Sequence, residues 1–178
     1  LINSEDKLLE NKKDEVCSGD NYINRAINSI HGQALDSLLT FALWLKNNNK
    51  PIDQVEALLT DIVQQPKYID SLAIIARALP WVHLSMPEFT EKNIDILFPE
   101  SKEQQYILDV TWPTFILYTH AYEDMFRLMK GKFCYVLKNH LYSDKDKKRT
   151  DKQIARHLIL YYAWGLYDLD SEILSFLF

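Results

Sequence analysis

Apolar residues recur along most of this chain at the spacing of helices that bury one face. Between residues 23 and 45 they follow one another at steps of 4, 3, 4, 4, 3 and 4, which is the 3.6-residue period of an amphipathic helix. This stripe consists of Ile23, Ile27, Ile30, Ala34, Leu38, Phe41 and Leu45. The pattern predicts one continuous helix, with Asp20 or Asn21 as its N-cap and Gly32 in its interior. Glycine costs ~1 kcal/mol there unless another backbone approaches closely.

Prolines and polar stretches divide the rest of the chain into further short helices. Pro80 is expected to kink or end its helix, and Trp112-Pro113 to bend or split another. No tract favours a strand over a helix. The predicted helices cover residues 51–64, 69–82, 85–98, 101–118, 121–141 and 154–166, with a last one from residue 171 onward.

This series of elements defines the predicted fold class and domain organisation. The chain is expected to be all-α, with about eight helices in antiparallel pairs that form an αα-solenoid or superhelix of the HEAT or TPR kind. No clean repeat of about 34 or 40 residues accompanies the helical pairs. Residues 1–19 are predicted to be a polar loop or weak helix, and 20–178 to be the helical-repeat domain. Within that domain, residues 143–152 are polar and are predicted to be an exposed charged linker.

Composition and charge exclude several classes of protein. Only 4 of 178 residues are glycine, which excludes an all-β sandwich or barrel because such folds use glycine freely in turns and bulges. The net charge of −5 disfavours an electrostatic grip on nucleic acid. No apolar run approaches the ~20 residues that a membrane span needs.

The cysteines and the ends of the chain predict its compartment and context. Cys17 and Cys134 belong to no CxxC motif, and the first residues lack the pattern of a signal peptide, so we expect a cytoplasmic protein. Residue 1 is not methionine, and residues 173–178 form an apolar cluster. We therefore expect a segment of a longer polypeptide. The alternatives are that the apolar end folds back on this domain or joins another copy.

The search for catalytic motifs yields one weak candidate site. No phosphate-binding glycine loop, GxSxG elbow or HExxH motif is present, and no cofactor is predicted. On a helix, His120 would share a face with Glu123 and Asp124, and a metal would need a further ligand such as His83 or His157. The other interpretation is a solvated acidic helix start.

Aromatic residues provide the candidates for partner binding. Tyr118, Tyr122, Tyr161 and Trp164 cluster in the second half of the chain. Tyrosine and tryptophan are favoured at protein–protein hot spots because they combine apolar area with a polar group. At helical spacing the same residues also fit core packing.

Two stretches resemble a known class of helical region. Residues 26–39 are similar to an "Asn-Ser-x-Arg-Gly-x-Ala-x-x-Ala-Leu" pattern through Asn28, Ser29 and Gly32, with His31 where arginine is usual. Residues 112–115 and 122–128 are similar to a later "Trp … aromatic … Phe-x-x-Leu" pattern. Such patterns occur in C-terminal helical-repeat regions of large bacterial proteins that look like anti-phage defence components. Those proteins carry sirtuin-like, nuclease or signal-transduction NTPase modules, so the resemblance implies that catalysis lies in other domains.

These observations lead to two functional hypotheses. The first is a non-enzymatic scaffold or sensor segment of a larger cytoplasmic bacterial protein, which binds a protein partner or adjoining domains of its own polypeptide. Asn28, His31 and Gly32 are interpreted as a structural motif, a hydrogen-bond network at a close helix crossing, and the alternative is that this trio binds a ligand or a neighbouring loop. The alternative is a compact all-α metal-dependent enzyme with its site near His120, Glu123 and Asp124.

Overall fold

The computed structural model describes residues 19–66, 68–139, 147–168, 171 and 173. Within these residues the chain forms eight α-helices and no β-strand, which confirms the all-α fold class. The helices are α1 (Gly19–Asn28), α2 (Ile30–Asn47), α3 (Asp53–Gln64), α4 (Ile69–Ser85), α5 (Pro87–Leu97), α6 (Gln105–Tyr118), α7 (Glu123–Asn139) and α8 (Lys147–Ala163). The predicted segment at 1–19 and the helix predicted from residue 171 lie almost wholly outside the described residues.

The first predicted helix is two helices that meet at Ser29. This residue has an extended backbone, and its hydroxyl accepts a hydrogen bond of 2.9 Å from the backbone N–H of Gly32, which makes it the N-cap of α2. A Cβ atom on Gly32 would lie 1.8 Å from the carbonyl oxygen of Ala26. Gly32 therefore lies in the first turn of α2, where the end of α1 approaches it. The prediction that Gly32 lies in the interior of one helix was wrong. The break at Ser29 leaves the apolar residues of α1 and α2 at nearly the same helical spacing, so the apolar pattern does not show it.

Helix α4 is the centre of the described fold. It packs against α1, α2, α5 and α6, and eleven of its residues are buried. The even-numbered helices contact one another in the order α2, α4, α6 and α8, while α3 packs on α5 and α1 lies against both α4 and α6. None of the described helices is both long and apolar enough to cross a membrane.

Neither of two interior prolines ends or splits its helix, two of the effects predicted for them. Pro80 and Pro113 lie inside α4 and α6, which continue through them. Proline in a helix interior costs ~3 kcal/mol because it removes a backbone donor and crowds the preceding turn. Trp112 and Phe115, which flank Pro113, are fully buried, and the Trp112 ring packs edge-on against Phe133 of α7 at 5.0 Å. The burial of such large side chains is of the size needed to offset the proline.

The polar stretch predicted as a linker contributes to a helix. Residues 147–152 form the first turns of α8, and Thr150 is buried. The reason is that Thr150 continues, one turn earlier, the buried stripe of Ile154, Leu158 and Tyr161. Residues 143–146 of the predicted linker lie outside the described residues.

Partly buried ion pairs hold helices together at both ends of the fold. Arg25 of α1 donates two hydrogen bonds, of 2.8 and 3.2 Å, to one carboxylate oxygen of Asp70 in the first turn of α4. Lys132 of α7 is buried and contacts Asp95 at 2.6 Å and Glu100 at 2.8 Å. These contacts join α1 to α4, and α7 to α5 and the connection after it.

Candidate functional site

The four predicted partner-binding aromatics separate into three surface residues and one core residue. Tyr118 ends α6 and is 38% exposed, Tyr122 precedes α7 and is 39% exposed, and Trp164 follows α8 and is 47% exposed. Tyr161, in contrast, is completely buried, and its ring lies 4.6 Å from that of Phe126. The prediction that Tyr161 contacts a partner was therefore wrong, because the side of α8 that carries it faces α7.

Tyr161 instead helps to hold the backbone of the connection that carries Tyr122. The Nε2 atom of His157 lies 3.3 Å from the carbonyl oxygen of Thr119, and its Nδ1 atom lies 3.4 Å from the Tyr161 hydroxyl. Because a carbonyl oxygen only accepts, Nε2–H donates to Thr119 and, in the neutral ring, Nδ1 accepts from Tyr161. The Tyr161 hydroxyl also hydrogen-bonds to the backbone of Tyr122. Two buried side chains of α8 thus hold the connection between α6 and α7.

Burial keeps both of these groups uncharged at neutral pH. It lowers the pKa of His157 from 6.5 to about 4, partly opposed by the hydrogen bond to Thr119, while the charges of Arg156 and His120 lower it further. It also raises the pKa of the Tyr161 hydroxyl above its ordinary value. A neutral imidazole and a protonated phenol are the forms that the hydrogen bonds require.

Trp81 of α4 is a surface aromatic that the sequence reasoning did not include among the site residues. It is 53% exposed, and its ring meets that of Tyr122 edge-on at 6.5 Å. The signal was present in the sequence, because Trp81 lies off the buried stripe of Leu79 and Val82 on the same helix. We refer to Trp81, Tyr118 and Tyr122 together as the aromatic surface.

The aromatic surface borders a cleft between α2 and α4. This cleft has a volume of about 340 Å³, and Trp81 and Tyr118 both line it. Asp36 of α2 and Arg77 of α4 form an ion pair in its wall. Its other lining residues are mainly apolar and include Leu39, Ala42, Val82 and Met86. The cleft thus combines an apolar interior with one charged pair.

The predicted metal ligands do not assemble into a site. His120 lies in the connection before α7 rather than on a helix, so the helical spacing to Glu123 and Asp124 does not apply. Glu123 pairs with Arg127 at 2.7 Å. His83 and Asp124 line one small cavity of about 90 Å³, yet among the described residues no three His, Cys, Asp or Glu side chains are placed to hold a metal ion.

The residues predicted as a structural motif lie on both sides of the break at Ser29. The Asn28 side chain donates to the carbonyl oxygen of Asn24 at 2.7 Å within α1. His31 stacks on Tyr68, with ring centroids 3.9 Å apart. Gly32 alone contacts the neighbouring helix, at the Ala26 carbonyl.

Comparison with protein-family models, with curated proteins and with solved structures finds no match to this chain. The chemistry of the described residues is therefore the basis for inferring a function. The aromatic surface offers apolar area and tyrosine hydroxyls, and the cleft beside it offers one ion pair. Such a combination is suited to binding another molecule.

Proposed function

We propose that this chain is an α-helical scaffold that binds a partner protein through the aromatic surface. The observation that carries the proposal is that Trp81 and Tyr118 lie half-exposed in the lining of one cleft, while the half-exposed Tyr122 contacts the Trp81 ring. Tryptophan and tyrosine are enriched at the energetic centres of protein interfaces. An exposed aromatic group of this kind is typical of an interaction site rather than of an ordinary surface.

Two of these side chains stand on well-supported backbone. Trp81 projects from the central helix α4, whose opposite residues are buried. The backbone N–H of Tyr122 donates a hydrogen bond to the hydroxyl oxygen of the buried Tyr161. A partner therefore meets aromatic groups whose backbones are already held in place, which reduces the entropy lost on binding.

The cleft suggests how the partner is anchored. Its volume of about 340 Å³ is at the lower end of the range for ligand pockets, so it has room for one or a few side chains rather than a large ligand. The apolar lining favours an aliphatic or aromatic anchor. The exposed part of the Asp36–Arg77 pair provides hydrogen-bonding groups at the rim, where they orient the anchor.

The scaffold itself is proposed to be a helical-repeat region of a larger cytoplasmic bacterial protein. The succession of contacts through α2, α4, α6 and α8 supports a solenoid, since stacked repeats contact their neighbours in order. The resemblance of residues 26–39 to the helical regions of defence-like proteins supports the wider context. The mass of the native polypeptide tests it, because a chain far above 21.0 kDa is expected.

Paired variants test the aromatic surface. Trp81→Ala with Tyr122→Ala removes two of its three aromatic side chains. The matched control is Phe41→Ala with Trp44→Ala, which removes an exposed stacked pair on α2 outside the cleft lining. A partner is first identified by quantitative pull-down from the source cells, and its affinity for each purified variant is then measured by calorimetry.

The first pair is expected to weaken the partner's binding at least tenfold, while the control pair leaves it within about twofold. Circular dichroism should show native helix content for both pairs, because all four side chains are substantially exposed. Unchanged affinity in the Trp81 and Tyr122 variant would contradict the proposal. Loss of binding only in the control would move the interface to α2.

A further inference from the structure

A second, larger cavity lies on the other side of α2, between α2 and α3. Its volume is about 700 Å³. On the α2 side it is lined by His31, Ala34, Leu35 and Leu38. These residues follow the i, i+3, i+4, i+7 spacing of one helical face. We refer to this cavity as the α2–α3 groove.

Helix α3 contributes a matching face. Leu58, Asp61 and Ile62 of α3 and its C-cap Gln65 line the groove, again at the i, i+3, i+4, i+7 spacing. Leu58 is 48% exposed, which is unusual for a leucine within an apolar stripe. Two helical faces, each about two turns long, thus border one open space.

The groove stays open because its two helices pack elsewhere. Helix α2 packs on α4, and α3 packs on α5. Tyr68, at the start of α4, closes one end of the groove and stacks on His31. The stripes of α2 and α3 therefore border a gap instead of closing on each other.

We propose that the α2–α3 groove binds the apolar face of an amphipathic, basic helix supplied by a partner protein. Two stripes at i, i+3, i+4, i+7 spacing complement the same spacing on a helix laid between them, which is the helix-in-groove mode of recognition. Each stripe spans eight residues, a rise of about 10 Å at 1.5 Å per residue. Contact over about two turns of the occupant therefore fits their length.

Charge determines which helix fits. Helix α3 carries Asp53, Glu56 and Asp61 and no basic residue, and Asp61 lies in the groove lining itself. A lysine or arginine beside the apolar face of the occupant gains a favourable interaction with Asp61, whereas an acidic helix is repelled. This site shares no lining residue with the aromatic surface, so it is independent of the function proposed above.

The test uses a defined probe peptide and the full chain. The probe is a fluorescein-labelled peptide of leucine, alanine and lysine, about three turns long, with its leucines at i, i+3, i+4 and i+7. A scrambled peptide of the same composition controls for non-specific attraction to an acidic protein. A third peptide replaces each lysine by glutamate. Fluorescence anisotropy at several salt concentrations gives the three dissociation constants.

The amphipathic lysine peptide is expected to bind at least tenfold more tightly than either control peptide. Leu58→Asn should weaken its binding at least tenfold, because it replaces an apolar group of the lining by an uncharged polar group of similar size. Ile159→Asn is the matched control, since Ile159 is a leucine-sized apolar residue on α8 that is 66% exposed. That control should leave binding unchanged.

A second pair of variants isolates the charge effect. Asp61→Asn and Asp53→Asn each remove one carboxylate from α3, but only Asp61 lines the groove. Asp61→Asn should lower the affinity for the lysine peptide about threefold or more and make that affinity less dependent on salt. Asp53→Asn should change the affinity by less than twofold.

Three outcomes would overturn the proposal. Equal binding of the amphipathic and scrambled peptides would show only non-specific attraction. Unchanged affinity in Leu58→Asn would place the peptide elsewhere. Weakened binding in Trp81→Ala but not in Leu58→Asn would assign the peptide to the aromatic surface, which separates failure of this inference from failure of the proposed function.

Discussion

Gly32 is the residue whose substitution has the clearest predicted effect on stability. A methyl group at this position would meet the Ala26 carbonyl oxygen at 1.8 Å, and a backbone atom cannot move aside as a flexible side chain can. Gly32→Ala should lower the free energy of unfolding by about 2 kcal/mol or more, because the end of α1 must shift away from α2. Urea denaturation followed by circular dichroism measures the change.

Gly131 provides the matched control within the same chain. It lies inside α7, and a Cβ atom there has no neighbour within 4 Å. Gly131→Ala should therefore raise the free energy of unfolding by about 0.5–1 kcal/mol through helix propensity alone. Equal stability of the two variants would contradict the close approach of α1 to Gly32.

Adjacent tyrosines show what the sequence could and could not predict of the candidate site. Tyr161 is fully buried whereas Tyr162 is exposed, although both are tyrosines in one aromatic run. Neighbouring residues on a helix point about 100° apart, so packing against α7 decides which one faces the core. Tyr118, Tyr122 and Trp164 are partly exposed, and their binding of a partner stays a prediction. The position of Trp81 off the apolar stripe of α4 could be read from the sequence, but its contact with Tyr122 depends on the tertiary fold.

At the scale of whole elements, apolar spacing predicts helices well and their ends poorly. Each of the eight described helices lies largely within a predicted one, but α1 and α2 were predicted as a single helix, and α8 begins seven residues before its predicted start. Ser29 causes that difference through one capping hydrogen bond, a local feature that leaves the apolar period intact. At Pro113 the sequence predicts a bend or split, whereas the buried helix α6 continues through the proline. At Ser29 a local capping bond interrupts an unbroken apolar period, whereas at Pro113 tertiary packing outweighs the local signal.

His157, which holds the connection between α6 and α7, should make the free energy of unfolding depend on pH. In the folded protein the pKa of His157 is lowered from 6.5 to about 4, so the unfolded chain binds a proton more readily. The contribution of neutral His157 to the free energy of unfolding is complete above pH 6.5 and is lost as the pH falls from 6.5 to 4. Below pH 4 this residue causes no further change. The difference between the two pKa values corresponds to a loss of roughly 3 kcal/mol. Urea denaturation at pH 7.5, 6, 5 and 4 measures it.

Comparison of variants assigns this pH dependence to one residue. His157→Gln keeps hydrogen-bonding atoms near Thr119 and Tyr161 but does not titrate, so its stability should fall less steeply between pH 6.5 and 4 than that of the wild type. His31→Gln, at an exposed histidine, should retain the wild-type slope. The same slope in all three proteins would show that His157 is not the source.

At the scale of the whole molecule, α4 packs against more of the described helices than α8 does. Helix α4 packs against four other helices, so its side chains support most of the described core. Helix α8 packs on α6 and, through Tyr161, on Phe126 and Phe133 of α7. Elements with few packing partners can open locally without the rest of a fold. Local opening of α8 would also release the connection that carries Tyr122.

Hydrogen exchange on two core variants tests this difference. Ile75→Ala in α4 and Ile154→Ala in α8 each truncate a buried isoleucine, a change that costs about 2–5 kcal/mol. Ile75→Ala should reduce the protection of the slowest amides in α1, α2, α5 and α6 together, because all four pack on α4. Ile154→Ala should reduce protection in α8 and around Tyr122 by more than in α4. An equal loss throughout the chain in both variants would indicate a single cooperative bundle instead of a solenoid, and the aromatic surface would then form and disappear only with the whole fold.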